Sequence, residues 1–193
     1  MSHSQKWTPS TAPLSRGEAA LAVARCVAVS LRLLVRGRVR CQRSRLGARV
    51  RFADGSTSTI YRETVVAGAV AARPCALVVR FRLRWVRGRG HALFRAESLL
   101  NTPLFVGFPG FVAKWWLAAD ENNVYRGLYE WDGAERAEAY ARALWQVLAL
   151  VSVRGSIAYT VLPGRHRDDL LTISAAPSDA EPAPAEWWRP VGS

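Results

Sequence analysis

The chain has 193 residues, half of them hydrophobic, which is enough for one domain with a buried core and extensions. Three cysteines without a CxxC spacing give no disulfide framework or zinc site, and three histidines, of which no two lie at ligand spacing, disfavour a His-based metal centre. The net charge of +12 is concentrated in residues 1–50, which hold ten of the 27 Lys and Arg residues and one acid, so the nearly neutral remainder does not favour DNA binding.

The N-terminal region predicts one helix after a disordered start. Residues 1–14 are rich in Ser, Thr and Pro and are predicted to be disordered. Ser15 and Glu18 have the spacing of a capping box, which predicts that a helix begins there. The segment from Ala19 to Val35 is mostly apolar, and its charged residues share one stripe of the helix with Glu18 and Arg36.

Three interpretations of this helix remain open. It packs on the domain with its polar stripe in water, or it lies on an anionic membrane surface, or it spans a membrane. We favour the first, keep a weak contact with a membrane surface as a possible partner interaction, and disfavour the third because of the central arginines. No signal peptide is predicted, and the expected location is cytoplasmic, with or without membrane association.

The N-terminal helix belongs to an extension that is predicted to cover residues 15–73. The second part of this extension predicts a β-hairpin. Residues 48–66 alternate in polarity and are rich in β-branched residues, and the Asp54-Gly55 pair is typical of a tight turn. Residues 67–72 form a small-residue linker. At the other end, residues 168–193 are predicted to be a disordered tail with an exposed Trp187-Trp188 pair.

Residues 74–167 predict a compact series of strands and helices. A strand of alternating polarity begins at Leu77, and a helix runs from Ala92 until Pro103 stops it. The next elements are a strand at 111–117, a strand at 124–131, a helix capped by Asp132 with Ala137, Tyr140 and Leu144 in its apolar stripe, and a strand at 156–162.

The order of these elements is βαββαβ, which predicts an α+β fold of the ferredoxin-like class. In this arrangement both helices lie on the same face of a four-stranded sheet. The other face is then left uncovered within one subunit, and an uncovered apolar face commonly finds a partner. The expected partner is a second copy of the chain.

Several motifs in this region resemble those of a known family. They are Pro109-Gly110-Phe111 followed by Lys114-Trp115-Trp116, the turn Glu121-Asn122-Asn123, Gly127-Leu128-Tyr129, and Ala139-Tyr140. On these residues the sequence resembles the YdhR-type monooxygenases of the dimeric α/β-barrel superfamily, over residues 75–163 at most. The resemblance implies a homodimer whose sheets close into a barrel, with a cavity for a small aromatic or polyketide-like molecule. It also implies oxygenation without a cofactor, in which the deprotonated substrate reacts with dioxygen directly.

Aromatic and basic residues on the predicted strands are the candidates for this cavity. The candidates for substrate binding are Trp115, Trp116, Lys114, Tyr125, Tyr129, Trp131, Tyr159 and His91, and no catalytic residue is assigned. For each aromatic residue, packing in the core or at a dimer interface is the alternative. Lys114, Arg80, Arg82 and Arg126 are predicted on the face opposite the main apolar stripe, either to stabilise an anion or to form ordinary ion pairs. His91 is either a base or a solvated residue at a helix start.

Rival functions are less well supported by the same residues. The resemblance implies that a haem-binding member of the superfamily would place a histidine on a helix, and neither predicted helix proper contains one, which disfavours haem binding. An RNA-binding domain of the RRM type has the same element order, but here the residues after Arg126-Gly127 lack the aromatic run that stacks bases. RNA binding through the basic N-terminal arm is therefore disfavoured. A non-catalytic small-molecule-binding or interaction module remains open, because no set of nucleophile, base and orienting residue is visible.

Overall fold

The computed structural model of the protein describes residues 14–84, 101–173 and 186–191. The helices in these ranges are α1 Arg16–Val35, α2 Ala134–Val151 and α3 Asp169–Ile173, with a 3₁₀ turn at Thr102–Leu104. The strands are β1 Val39–Gln42, β2 Arg49–Arg51, β3 Thr57–Val66, β4 Pro74–Arg82, β5 Phe111–Leu117, β6 Val124–Asp132 and β7 Ala158–Pro163. The predicted helix at 92–100 and His91 lie outside the described residues.

The N-terminal helix α1 begins with the predicted capping box. The backbone N–H of Ser15 donates to Glu18 Oε2 at 3.1 Å, and the N–H of Glu18 donates to Ser15 Oγ at 3.4 Å. The charged stripe is exposed, whereas Cys26 and Ser30 are buried against the rest of the domain. The interpretation as a helix packed on the domain is therefore confirmed. Among the described residues, no helix is both long and apolar enough to cross a membrane.

The strands form one antiparallel sheet in the order β1-β3-β5-β6-β4-β7, with β2 paired to the outer part of β3. Strand β4 lies between β6 and β7 and is antiparallel to both, so β6, α2 and β7 form a split βαβ unit. This order confirms the α+β class with a ferredoxin-like core. The predicted hairpin is present as β2 and β3, but β3 also pairs with β5. The extension therefore continues the core sheet.

The start of α2 differs from the prediction. Gly133, with φ of 103°, is the N-cap residue, and no side chain caps the helix. Asp132 still belongs to β6, and its carboxylate accepts hydrogen bonds from the Arg73 N–H at 2.9 Å and from Arg136 at 2.6 Å. The carboxylate thus joins the end of the sheet to the first turn of α2 instead of capping the helix.

The sheet separates two hydrophobic cores. The helix-side core contains the buried residues Leu77, Val79, Trp116, Tyr129, Trp131 and Tyr140. The opposite core contains Phe52, Ile60, Val78, Trp115, Leu128, Leu170 and Trp187. The prediction of an uncovered sheet face is therefore wrong, because residues from the β2 hairpin, α3 and the segment 186–191 lie on it.

Part of the predicted disordered tail is folded. The N–H of Ala53 donates to the carbonyl of Arg189 at 2.8 Å, and the N–H of Val191 donates to Arg51 at 2.8 Å. Trp187 retains only 8% of its exposure, in contrast to the predicted exposed pair.

Candidate ligand site

A cavity of about 420 Å³ lies between the helix face of the sheet and α2. Its volume lies within the range of about 300–1,000 Å³ that is typical of small-molecule sites. Strands β4, β5 and β6, the 3₁₀ turn and α2 all contribute to it. The described lining residues are Phe81, Leu83, Asn101, Leu104, Phe105, Lys114, Trp116, Tyr129, Tyr140, Leu144, Val147, Leu148, Leu150 and Val151.

The walls of the cavity are mainly aromatic and aliphatic. The Phe105 ring meets the Trp116 ring edge-on at a centroid distance of 5.2 Å, and Tyr129 lies 6.5 Å from Phe105. The Tyr129 ring lies over the backbone of Gly127, where a Cβ would come within 2.7 Å of the ring. Glycine at this position therefore lets the Tyr129 ring lie against the strand, and the flat apolar walls suit a planar ligand.

Lys114 brings a single amine into this apolar space. Its Nζ lies 3.1 Å from the centroid of the Trp116 ring and 4.6 Å from the centroids of Phe105 and Tyr129. Among the described residues, no carboxylate lies within ion-pair distance of Nζ. Burial lowers the pKa of Lys114 well below its ordinary value, and the nearby Arg62 cation lowers this pKa further.

The face on which Lys114 lies corrects the prediction. Strand β5 contains a β-bulge between Phe111 and Ala113. Phe111 pairs with Trp131 and Ala113 pairs with the next residue of β6, Glu130, so β5 has one extra residue at this point. Such a bulge reverses the alternation of side chains beyond it. Lys114 and Trp116 therefore lie on the helix side. Simple alternation from Phe111 would place them on the opposite side.

Arg62 places a guanidinium cation near the amine. It reaches the helix side from β3, where its guanidinium carbon lies 5.1 Å from the Trp116 ring centroid. Its Nη2 donates to the hydroxyl of Thr102 at 2.6 Å. The arrangement concentrates positive charge at the β5 end of the cavity, which suits an anionic or electron-rich group of a ligand.

Two buried phenols form the polar pair at the other side of the amine. Tyr140 on α2 donates a hydrogen bond to the hydroxyl oxygen of Tyr129 on β6 at 3.2 Å. Burial raises the pKa of both residues, so both phenols stay protonated at neutral pH. In this arrangement the Tyr129 proton is left available for donation to a ligand oxygen.

Arg80 and Arg126 lie on the face opposite the helices, as predicted, but in ion pairs. Arg126 bonds to Asp54 and to Asp120, each at 2.5 Å, and is almost completely buried. Arg80 lies 3.8 Å from Asp54, and its guanidinium stacks over the Trp187 ring at 4.3 Å. Of the two predicted roles, these geometries support ion pairing.

The structure brings only part of the predicted pocket set together. Lys114, Trp116 and Tyr129 line the cavity. Trp115 lies on the opposite face, beneath Arg167 at 3.8 Å. Trp131 is on the helix side but is packed against Tyr140 at 4.8 Å within the core. Tyr125 stacks on Phe81 and Tyr159 meets Trp145, and neither lines the cavity.

Sequence reasoning missed three residues that now belong to the site. Tyr140 was placed in the apolar stripe of α2, although its hydroxyl group was a signal that the stripe reaches a polar partner. Phe105 follows a proline-bearing turn and carried no periodic signal. Arg62 was hidden within the β-branched run of the hairpin. The available signal was a charged residue within this β-branched strand. A register shift between Ile60 and Arg62 places Arg62 on the helix side with Thr64, whereas Ile60 lies in the opposite core.

Comparison with known proteins yields a weak structural likeness. No family model matches the sequence, and no curated protein matches it. Among solved structures, the chain is similar to an uncharacterized ferredoxin-fold protein from Listeria monocytogenes that is described as related to antibiotic biosynthesis monooxygenases. The TM-score is 0.42 at 11% identity, and the match covers 58% of this chain and 66% of that chain. A likeness of this strength says nothing about the ligand or the reaction, and the YdhR-type assignment stays a prediction.

Proposed function

We propose that the protein is a cofactor-independent monooxygenase that binds a small aromatic or polyketide-like molecule carrying an acidic hydroxyl group. The observation that carries this proposal is the amine of Lys114, which is buried among aromatic rings with no carboxylate partner in the described part of the chain. Burial lowers the pKa of this amine well below its ordinary value, which favours the neutral form, and in that form the amine is a base.

The first step of the proposed reaction is a proton transfer inside the cavity. The Lys114 amine takes the proton of the ligand hydroxyl, which leaves an ammonium ion beside a phenolate or enolate. The pair is favoured because opposite charges attract more strongly where water is excluded. The hydroxyl group of Tyr129 donates a hydrogen bond to the same oxygen and stabilises the anion further.

The electron-rich anion then reacts with dioxygen. A bond forms between one ligand carbon and one oxygen atom, which gives a hydroperoxide after protonation by the Lys114 ammonium. At a carbon that bears a second hydrogen, loss of water leaves a carbonyl group, so one oxygen atom stays in the product and the other leaves as water. All four electrons come from the substrate.

A specific observation also favours a binding module without turnover. Among the described lining residues, Lys114 is the sole group that changes charge readily, with no carboxylate or histidine beside it. A cavity with one amine and apolar walls can hold an acidic aromatic ligand without directing its oxidation. This second candidate shares the ligand class and differs in the absence of oxygen consumption.

Two measurements on the full chain test the proposal. Titration with 4-nitrophenol, below the pH at which the free dye ionises, is expected to raise the phenolate absorption band on binding. Lys114→Met is expected to bind the dye without this band, whereas Lys6→Met, which changes the other lysine, is expected to keep it. A normal band in Lys114→Met would contradict the role of the amine.

Oxygen consumption then separates the enzyme from the binding module. Hydroxynaphthalenes and anthrone are suitable electron-rich probes, and an oxygen electrode records consumption above the rate without protein. Consumption that depends on Lys114 supports the monooxygenase. Dye binding without consumption of oxygen by any probe leaves the binding module as the function.

The homodimer also remains a proposal. The chain's own residues occupy the sheet face that a partner was expected to cover. Closure of a barrel through this face therefore requires the β2 hairpin, α3 and the segment 186–191 to move, and sedimentation analysis of the full chain gives the state of association. A monomer at all concentrations would contradict the homodimer.

Membrane contact is proposed for α1 alone. Leu21, Leu31 and Val35 are exposed on one side of the helix, next to Arg25 and Arg32. An apolar row flanked by arginines suits the surface of an anionic bilayer. Cosedimentation with anionic and with neutral vesicles tests this proposal, and equal absence of binding to both would contradict it. A cytoplasmic location with this weak contact remains part of the proposal.

A further inference from the structure

In its neutral form, the amine of Lys114 has a second chemical capacity besides accepting a proton. A lysine becomes a nucleophile toward carbonyl groups when it is desolvated in an apolar pocket or lies next to another cation. Lys114 meets both conditions, since its side chain is 6% exposed among aromatic rings and Arg62 lies on the neighbouring strand. We infer that Lys114 forms an imine with a small aromatic aldehyde or ketone bound in the cavity.

The cavity provides room for the carbonyl compound beside the amine. Its volume of about 420 Å³ suits a molecule of one or two fused rings, and Lys114 is one of its lining residues. The walls next to Nζ are the rings of Phe105, Trp116 and Tyr129. These flat surfaces favour a planar aromatic ligand over a chain of similar volume.

The groups around the amine keep it nucleophilic. The Arg62 cation acts on it from β3, the Tyr129 ring lies beside it on β6, and Tyr140 on α2 lines the same cavity. None of these groups carries negative charge, so none stabilises the ammonium form of Lys114. A carboxylate in this position would hold the proton on the amine and suppress attack on a carbonyl group.

The proposed step balances without an added oxidant or reductant. The Nζ lone pair attacks the carbonyl carbon, the C=O bond becomes C–O, and a proton moves from nitrogen to the new oxygen to give a carbinolamine. Loss of water then breaks the C–O bond and forms C=N. The Tyr129 hydroxyl donates a hydrogen bond to the carbonyl oxygen, which increases the positive character of the carbon.

This activity goes beyond the proposed oxygenation and is independent of it. Oxygenation uses Lys114 as a proton acceptor for a hydroxyl-bearing ligand and consumes dioxygen. Imine formation uses the same nitrogen as a nucleophile and proceeds without dioxygen. A protein that fails to consume oxygen can still form the imine, and the reverse also holds, so the two failures are distinguishable.

The composition of the chain makes the test unusually clean. Lys6 and Lys114 are its two lysines, so the competing amines are Lys6 and the N-terminal amino group. The full-length protein is incubated without oxygen at about pH 7 with 2-naphthaldehyde and cyanoborohydride, which reduces imines to stable amines. Peptide mapping by mass spectrometry then gives the rate of modification at each amine.

The expected result is modification of Lys114 at least about tenfold faster than modification of Lys6, because each unit of lowered pKa raises the neutral fraction about tenfold near pH 7. Lys6→Arg is expected to leave the Lys114 adduct unchanged, and Lys114→Met to abolish rapid labelling. Equal rates at Lys114 and Lys6, or preferential labelling of Lys6, would overturn the inference.

A second comparison tests whether the cavity holds the carbonyl compound. Leu144→Trp fills part of the cavity without changing Lys114, and we expect it to slow labelling of Lys114 about tenfold. An excess of 2-methylnaphthalene, which has the same rings without a carbonyl group, is expected to slow wild-type labelling similarly and needs no folded variant. Labelling of Lys114 that neither change slows would overturn the cavity as the binding site.

Discussion

Lys114 owes its surroundings to one extra residue in its own strand. The bulge between Phe111 and Ala113 turns the lysine toward Trp116 and Tyr129 and away from the opposite face, where Glu63 and Glu130 lie. On that other face a lysine would find carboxylate partners. The local backbone irregularity thus leaves Lys114 as a buried amine with no carboxylate partner among the described residues.

The isolated amine should reduce the stability of the protein in a pH-dependent way. The folded pKa of Lys114 is lowered, so the unfolded chain binds more protons from this pKa up to about 10.4, and stability rises with pH in that window. Lys114→Met should therefore raise the free energy of unfolding by about 0.5–2 kcal/mol near pH 7. The gain should shrink as the pH approaches about 10.

Urea unfolding at several pH values between about 6 and 10 measures this effect. Arg62 and Tyr129 lie near the amine and Tyr140 lines the same cavity, and the raised pKa of each tyrosine keeps it protonated through the window. The Lys6→Met variant serves as the control: it retains Lys114, so its free energy of unfolding should match that of wild type at every pH. A Lys114→Met protein that is less stable than wild type near pH 7 would contradict the prediction.

At the scale of elements, the position of α1 depends on close backbone approach at Gly107. A Cβ on this residue would lie 2.2 Å from the Cys26 carbonyl oxygen and 2.7 Å from the Ser30 N–H nitrogen. The contact is supported by the Cys26 thiol, which donates to the Pro103 carbonyl at 3.3 Å. Phe105 lines the cavity and lies two residues before Gly107. The packing of α1 on this segment therefore also positions one wall of the cavity.

Gly107→Ala should push α1 away from this segment. We expect a loss of about 1–3 kcal/mol in the free energy of unfolding, because backbone atoms cannot yield as a flexible side chain can. Gly17→Ala is the matched control, since its Cβ meets nothing within 4 Å and alanine favours the helix by roughly 0.5–1 kcal/mol. Thermal or urea unfolding of both variants measures the two changes in stability. If Gly107→Ala leaves the free energy of unfolding unchanged, the close packing of α1 at Gly107 is contradicted.

The elements that could be predicted from the sequence are those with a strong local signal. The capping box at Ser15, the hairpin turn at Asp54-Gly55 and the bounds of β5 follow from residue type and spacing. The bulge within β5 could not be predicted, because its residues Phe111, Val112 and Ala113 are equally compatible with a regular strand. Since that bulge decides which face Lys114 occupies, the strand was predictable and its contribution to the site was not.

At the scale of the whole molecule, residues from both ends of the described chain cover one sheet face. Phe52 from the N-terminal hairpin, Leu170 from α3 and Trp187 lie together on Trp115 and Leu128. An isolated bridge pairs Phe52 with Pro190, and the Arg126 ion pair with Asp54 ties the hairpin to β6. The two cores therefore share the sheet, and the cavity depends indirectly on both.

Trp187→Ala should release the segment 186–191 from the sheet. The free energy of unfolding is expected to fall by about 3 kcal/mol. This value is toward the lower end for buried tryptophans, because the ring is at the edge of the core and stacks on Arg80. Limited proteolysis should cut this segment faster in the variant, and urea unfolding gives the energy. Trp188→Ala, which removes the half-buried neighbour, should cost less, and equal effects of the two changes would contradict a specific role of Trp187.

The covering of this face has a consequence for the order of events during synthesis. The ribosome delivers the hairpin and the whole sheet before residues 186–191, yet Trp187 completes the core on Trp115 and Leu128. Until then, a nascent chain carries a partly open apolar face, and such faces are prone to association during translation. The final closure joins residues more than 130 positions apart, so we expect it to be a late and slow step of folding.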